Sequence, residues 1–147
     1  MSNFLSAKIC LWCSRALAAL IGALCIGIWP LVRWYLGFRH LPWQVGGAIV
    51  AGFYLCVPLI LCALWCIEKL LRNILTEQVF VEANVRFIRR IRWCCAGVSL
   101  VCLAAGILYQ PLVFLAVIMA FLALMVSVVK NVLAAAVELR EENDLTI

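Results

Sequence analysis

Cysteine is the residue type in this chain with the clearest potential for chemistry, because nine of the 147 residues are cysteines. Cys10 and Cys13 have the spacing of a redox or zinc-binding pair, and Cys94 with Cys95 would complete a four-thiolate zinc site. However, adjacent residues point in different directions on a helix, and His40, the only histidine, is predicted at the other end of the molecule. We therefore predict no cofactor and no metal site, with these four cysteines as secondary candidates.

Other catalytic arrangements are missing from the sequence. It has no serine nucleophile beside a base, no glycine-rich phosphate loop and no cluster of histidine with carboxylates. The sequence therefore predicts a protein that is not an enzyme.

The elements that position these residues follow from composition. The chain is 68% hydrophobic with a mean hydropathy of +1.15, and a soluble domain of this length cannot bury so many apolar side chains. The apolar stretches are continuous, which indicates helices rather than alternating barrel strands. We predict one all-α domain over residues 1–147, an integral membrane four-helix bundle with helices that extend into the cytoplasm. The predicted spans are residues 16–35, 45–67, 93–109 and 112–129.

Orientation is predicted from the basic residues. Of the twelve lysines and arginines, only Arg33, near the end of the first span, and Arg39, in the loop after it, lie on that side, whereas the other ten precede the first span, lie between the second and third, or follow the fourth. Because cytoplasmic segments carry the excess of positive charge, we expect a multi-pass protein of the cytoplasmic membrane with both termini in the cytoplasm. The net charge of +5 then reflects topology and contact with the lipid bilayer, and direct nucleic-acid binding is not expected.

The spans carry no ionisable side chain near their centres, which argues against a transporter or a proton pump. Most of the remaining information lies in residues 68–92, a predicted cytoplasmic helical hairpin with a break near residues 76–80, and in the C-terminal helix and tail, residues 130–147. The tail holds Glu138, Glu141, Glu142 and Asp144 against the single Arg140. We expect its apolar side to pack on the hairpin and its carboxylates to face Arg86, Arg89, Arg90 and Arg92.

Two segments carry a family resemblance. "VFVEANVRFIRRI" at residues 79–91 and "LREENDLTI" at residues 139–147 resemble two regions of the domain-of-unknown-function 2975 family, although Ala83 here separates a glutamate and an asparagine that the family commonly has adjacent. The resemblance implies a small bacterial membrane protein with four spans and no established biochemical activity. Members are often encoded beside a small helix-turn-helix regulator, which implies a role in holding or modulating a DNA-binding partner.

These observations predict a non-enzymatic membrane protein that anchors or modulates a small cytoplasmic transcription regulator. Two alternatives stay open: a small transporter, channel or lipid-binding protein that acts as a homo-oligomer, and a redox sensor that uses Cys10 and Cys13. The residues predicted to bind the partner are Arg86, Arg89, Arg90, Glu138, Arg140, Glu141, Glu142, Asn143 and Asp144.

Overall fold

The structure is a computed structural model that describes the backbone of residues 2–146 and the side chains of residues 4–146. This part of the chain forms four helices and no strand: α1 (Ser2–Arg39), α2 (Trp43–Leu75), α3 (Glu82–Gly106) and α4 (Pro111–Leu145). The predicted all-α, four-helix fold class is therefore confirmed.

Three of these helices are long and apolar enough to cross a membrane: Phe4–Arg39 within α1, Trp43–Leu75 and Pro111–Leu145. Large apolar side chains such as Leu100, Phe121 and Leu124 are exposed, as expected for a surface that faces lipid. Helix α3 is not among the three, because four arginines lie in its first half. Its apolar part, residues 93–106, is about 21 Å long at 1.5 Å per residue, so the fourth span stays a prediction.

The turn between α3 and α4 begins earlier than the sequence indicated. The predicted third span ran to residue 109, whereas α3 ends at Gly106. A Cβ atom on Gly106 would lie 2.6 Å from a methyl group of Val113 and 3.1 Å from its backbone nitrogen. The missing side chain thus allows the start of α4, with Pro111 in its first turn, to pack directly on the end of α3.

The helices pack in chain order within the described residues: α1 contacts α2, α2 contacts α3 and α3 contacts α4, whereas α1 and α4 do not contact each other. The first residues of α1, residues 68–92 and the last turns of α4 lie at one end of the molecule, which we call the basic end. Residues 40–42 and 107–110 form the opposite end. Two apolar clusters hold the bundle, one around Val32 between α1 and α2 and one around Ala116 between α2, α3 and α4.

Aromatic contacts connect the helices at the opposite end. The hydroxyl groups of Tyr35 and Tyr109 share a hydrogen bond, which ties α1 to the α3–α4 turn. The rings of Trp29 and Trp43 meet edge to face with centroids 5.4 Å apart. These contacts fix the far end of α1 even though most of that helix has a single neighbour.

An apolar cavity of about 230 Å³ lies between the helices in the middle of the bundle. It is lined by side chains such as Ile28, Phe53, Val98 and Leu112, one from each helix. The nearby hydroxyl of Tyr54 donates a hydrogen bond to the carbonyl oxygen of Cys25 at 2.8 Å. The cavity is therefore lined by apolar side chains and does not form a polar path for a solute between the helices.

Candidate functional site

The connection between α2 and α3, residues 76–81, is an ordered loop that begins with a helix stop. Glu77 has a positive φ of 61°, and the amide of Gln78 donates a hydrogen bond across the helix end to the carbonyl of Asn73 at 2.9 Å. The amide of Glu77 likewise reaches the carbonyl of Ile74 at 3.1 Å. This pair of bonds is a Schellman motif, which usually has glycine at the position that Glu77 takes here.

Asn84, in the first turn of α3, holds the loop in place. Its side chain is fully buried, with 0% exposure. Its Nδ2 donates to the carbonyls of Gln78 at 2.9 Å and Val79 at 2.8 Å, and its Oδ1 accepts from Nδ2 of Asn73 at 2.7 Å. One side chain therefore links α2, the loop and α3, and it satisfies loop carbonyls that have no partner in a helix.

The last turns of α4 pack against this loop. Val137 is buried, and the guanidinium of Arg140 lies 5.8 Å from the centre of the Phe80 ring. Between the loop and the last turns of α4 is a groove of about 600 Å³, which we call the loop groove. It is lined by Glu77, Val79, Phe80, Ala136, Leu139, Arg140 and Asn143.

The predicted partner-binding residues divide into two groups in the structure. Arg140 and Asn143 line the loop groove, and Glu141 and Asp144 line its continuation beside Val81. Glu138 and Glu142 are exposed on the same helical turns, and Arg86, Arg89 and Arg90 are exposed on α3.

The expected pairing between tail carboxylates and α3 arginines is wrong for the described residues, whose ion pairs all involve Glu68. The cause is the register of the two antiparallel helices. Arg92 lies beside Ser127 and Arg140 beside Phe80, so the arginine stretch is level with the middle of α4. The tail carboxylates extend past it toward the loop. Residue 147 and its terminal carboxylate lie outside the described residues.

Glu68 is the carboxylate that pairs at the basic end. It accepts a hydrogen bond from Arg15 of α1 at 3.0 Å and one from Arg72, one turn further along α2, at 2.7 Å. The ion pair between Arg15 and Glu68 therefore joins α1 to α2 at the basic end. Sequence reasoning missed it, since no sequence pattern relates residues on different helices.

The candidate metal cysteines are not brought together. Cys10 and Cys13 are exposed on α1, whereas Cys94 is buried and interacts with Cys62 and Cys66 of α2. The described residues contain no group of three or more cysteine, histidine or carboxylate side chains arranged to hold a metal ion. The four-thiolate arrangement considered from the sequence is therefore not formed, because Cys94 faces α2 and not α1.

The two segments that carried the family resemblance meet in space, since Val79 and Phe80 of the first and Leu139, Arg140 and Asn143 of the second line the loop groove. Residues 10–147 match the family described as "Protein of unknown function (DUF2975)". The chain belongs to this family. The match extends over all four helices, so the whole bundle is the family's unit. No curated protein and no solved structure matches the chain.

Proposed function

We propose that this chain is a non-enzymatic protein of the bacterial cytoplasmic membrane whose basic end faces the cytoplasm and docks a small helix-turn-helix regulator in the loop groove. Long apolar helices support membrane insertion. The excess of lysine and arginine at the basic end supports a cytoplasmic position for that end.

The observation that carries the docking proposal is the exposure of apolar side chains in the loop groove. Leu139 is 66% exposed and Phe80 is 46% exposed. An apolar run from Leu112 fills a hydrocarbon core of about 30 Å near Lys130. Leu139 lies about 13 Å further along the helix axis at 1.5 Å per residue, which is beyond lipid cover. Such side chains need another protein surface to bury them.

The charges around the loop groove indicate the chemistry of the occupant. Glu77 lies in its wall and Glu141 and Asp144 in its continuation, so that three carboxylates stand against the single cation of Arg140. None of the three has an ion-pair partner among the described residues. A DNA-binding protein presents a basic surface, which these carboxylates would attract while Phe80 and Leu139 bury apolar area. In this arrangement the membrane protein competes with DNA for the regulator. The frequent gene neighbourhood of the family with such regulators supports this choice of partner.

The experiment is purification of the tagged full chain from its native membrane in mild detergent, followed by mass spectrometry of the bound proteins. Leu139→Glu places a charge in the groove wall, and deletion of residues 138–147 removes that wall. Leu5→Glu is the matched control, because Leu5 is 64% exposed on α1 and lies away from the groove.

A small DNA-binding protein in near-stoichiometric amount is expected with the wild type and with Leu5→Glu, and it is expected to be lost from both groove variants. Retention by the deletion variant would contradict docking in the loop groove. Recovery of the chain alone, or only with copies of itself, would favour the lipid-binding or transport alternative.

A further inference from the structure

A second groove, of about 500 Å³, runs between α3 and α4, and no residue of α2 lines it. We call it the α3–α4 groove. Its floor is made of small side chains, and exposed leucines flank it. The residues that matter for its shape are Ala96, Ser99, Leu100, Ala120, Ala123 and Leu124. The hydroxyl of Ser99 donates to the carbonyl of Ala116 at 2.8 Å, so its polar atom is already satisfied and this part of the groove is apolar.

The end of this groove nearest the basic end is positively charged. Arg92 and Ser127 line it, with Nη1 of Arg92 at 3.5 Å from the serine hydroxyl. Arg89 lies about one turn before Arg92 on α3 and Lys130 about one turn after Ser127 on α4, so both belong to this end of the groove, where the three cations repel one another. No carboxylate lines the groove. Three cations from two helices therefore converge without a counter-charge, an arrangement that an anion would stabilise.

The dimensions match one leaflet of a membrane. From Arg92 to Leu100 the groove extends about 12 Å along α3 at 1.5 Å per residue, and half of a hydrocarbon core is about 15 Å. Trp93, beside Arg92, lies where aromatic side chains mark the boundary between headgroups and hydrocarbon. The charged end of the groove can therefore lie at the depth of the lipid headgroups while the floor of small side chains lies at the depth of the acyl chains.

We propose that the α3–α4 groove binds one anionic phospholipid, with its phosphate between Arg89, Arg92 and Lys130 and one acyl chain along the floor of Ala96, Ala120 and Ala123. Basic pockets between membrane helices on the cytoplasmic side are suited to such headgroups. The proposal rests on the membrane insertion proposed above and is independent of the docking partner.

The test uses the delipidated full chain in detergent, titrated with phosphatidylglycerol and observed by native mass spectrometry. Phosphatidylcholine with the same acyl chains tests the charge, and glycerol phosphate tests the headgroup alone.

Arg92→Gln and Lys130→Gln remove cations at the groove, and Ala123→Phe fills its floor. The matched controls are Arg90→Gln, since Arg90 lies near Cys66 of α2, and Ala23→Phe on the exposed side of α1. Far-UV circular dichroism checks the fold of each variant.

One bound phosphatidylglycerol is expected, in preference to phosphatidylcholine. Each charge removal is expected to weaken binding about fivefold, the factor that corresponds to ~1 kcal/mol per basic residue at a membrane surface. Ala123→Phe is expected to abolish binding of phosphatidylglycerol, and both controls are expected to bind as the wild type does.

Equal retention of the two lipids, or an equal effect of Arg90→Gln and Arg92→Gln, would overturn the proposal. Displacement by glycerol phosphate at equal concentration, or unchanged binding by Ala123→Phe, would overturn the acyl-chain contact. Loss of a dimer in Ala123→Phe with no loss of lipid would identify the groove as a contact between copies. Flotation with liposomes tests membrane insertion separately. A chain that floats with liposomes but shows no preference for phosphatidylglycerol refutes the lipid site and leaves the proposed membrane insertion intact.

Discussion

Replacement of Asn84 by leucine is expected to release the loop at residues 76–81 while the helices stay folded. Leucine has a similar shape but removes three hydrogen bonds: one from Asn73 and two to the carbonyls of Gln78 and Val79. A typical net contribution of 0.5–1.5 kcal/mol for each bond gives a local loss of about 3 kcal/mol. Since each 1.4 kcal/mol is a factor of ten, the loop should open on the order of 100-fold more often.

Hydrogen exchange measured by mass spectrometry on the detergent-solubilised chain tests this number. The amide of Gln78, bonded to the carbonyl of Asn73, is expected to exchange faster by the same factor. Asn84→Asp is expected to have a comparable effect at neutral pH, because a carboxylate would face two carbonyl oxygens. Asn131→Leu, at an exposed asparagine on α4, is the control. Exchange at Gln78 that is equal in Asn84→Leu and Asn131→Leu would refute the assignment of Asn84 as the group that holds the loop.

Three further predictions concern other contacts. Gly106→Ala is expected to lower the free energy of unfolding of the solubilised chain, measured by thermal melting, by about 2 kcal/mol, because its Cβ would overlap α4. Gly47→Ala, with open space around it, should raise the free energy of unfolding by up to about 1 kcal/mol. Equal effects of the two substitutions would contradict the close approach of α3 and α4 at Gly106. Glu77→Gly removes the cost of a left-handed backbone conformation at a residue with a side chain, which is ~1 kcal/mol. Hydrogen exchange of the loop amides is therefore expected to slow about fivefold. Unchanged exchange would show that the left-handed conformation of Glu77 does not destabilise the loop. A double-mutant cycle of Arg15→Gln and Glu68→Gln is expected to give a coupling under about 1 kcal/mol that falls with salt, and a coupling independent of salt would argue against an exposed ion pair.

The helices were predictable because lipid-facing segments need continuous apolar residues, and such runs can be recognised in the sequence alone. The break at residues 76–80 was also visible, since apolar periodicity stops there. The end of α3 at Gly106 was not, because it depends on contact between Gly106 and Val113 of the next helix, and hydropathy continues through Ile107 and Leu108.

The contacts within the candidate site were less accessible to sequence reasoning. Net charge suggested that the tail would pair with the arginines of α3, but charge counts carry no register, and Arg92 proved level with Ser127. Asn84 lies in the segment that carries the family resemblance, but its role was not predicted, because its full burial depends on contacts with Asn73 of α2 and with the loop. An asparagine in the first turn of an otherwise apolar helix face, directly after a loop, is the signal that points to such a bond network.

Packing in chain order has a consequence for biogenesis. Because the backbones that approach each other closely belong to helices adjacent in sequence, each of these interfaces is available as soon as the second of its two helices has been synthesised. These interfaces close short loops and form with little loop-closure entropy, whereas the bond between Tyr35 and Tyr109 and the cluster that holds Cys56 and Ala116 wait for later parts of the chain. We expect the bundle to assemble vectorially during insertion, with α4 adding last to a partly formed α1–α2–α3 unit, so that both walls of the loop groove exist only once α4 has been synthesised.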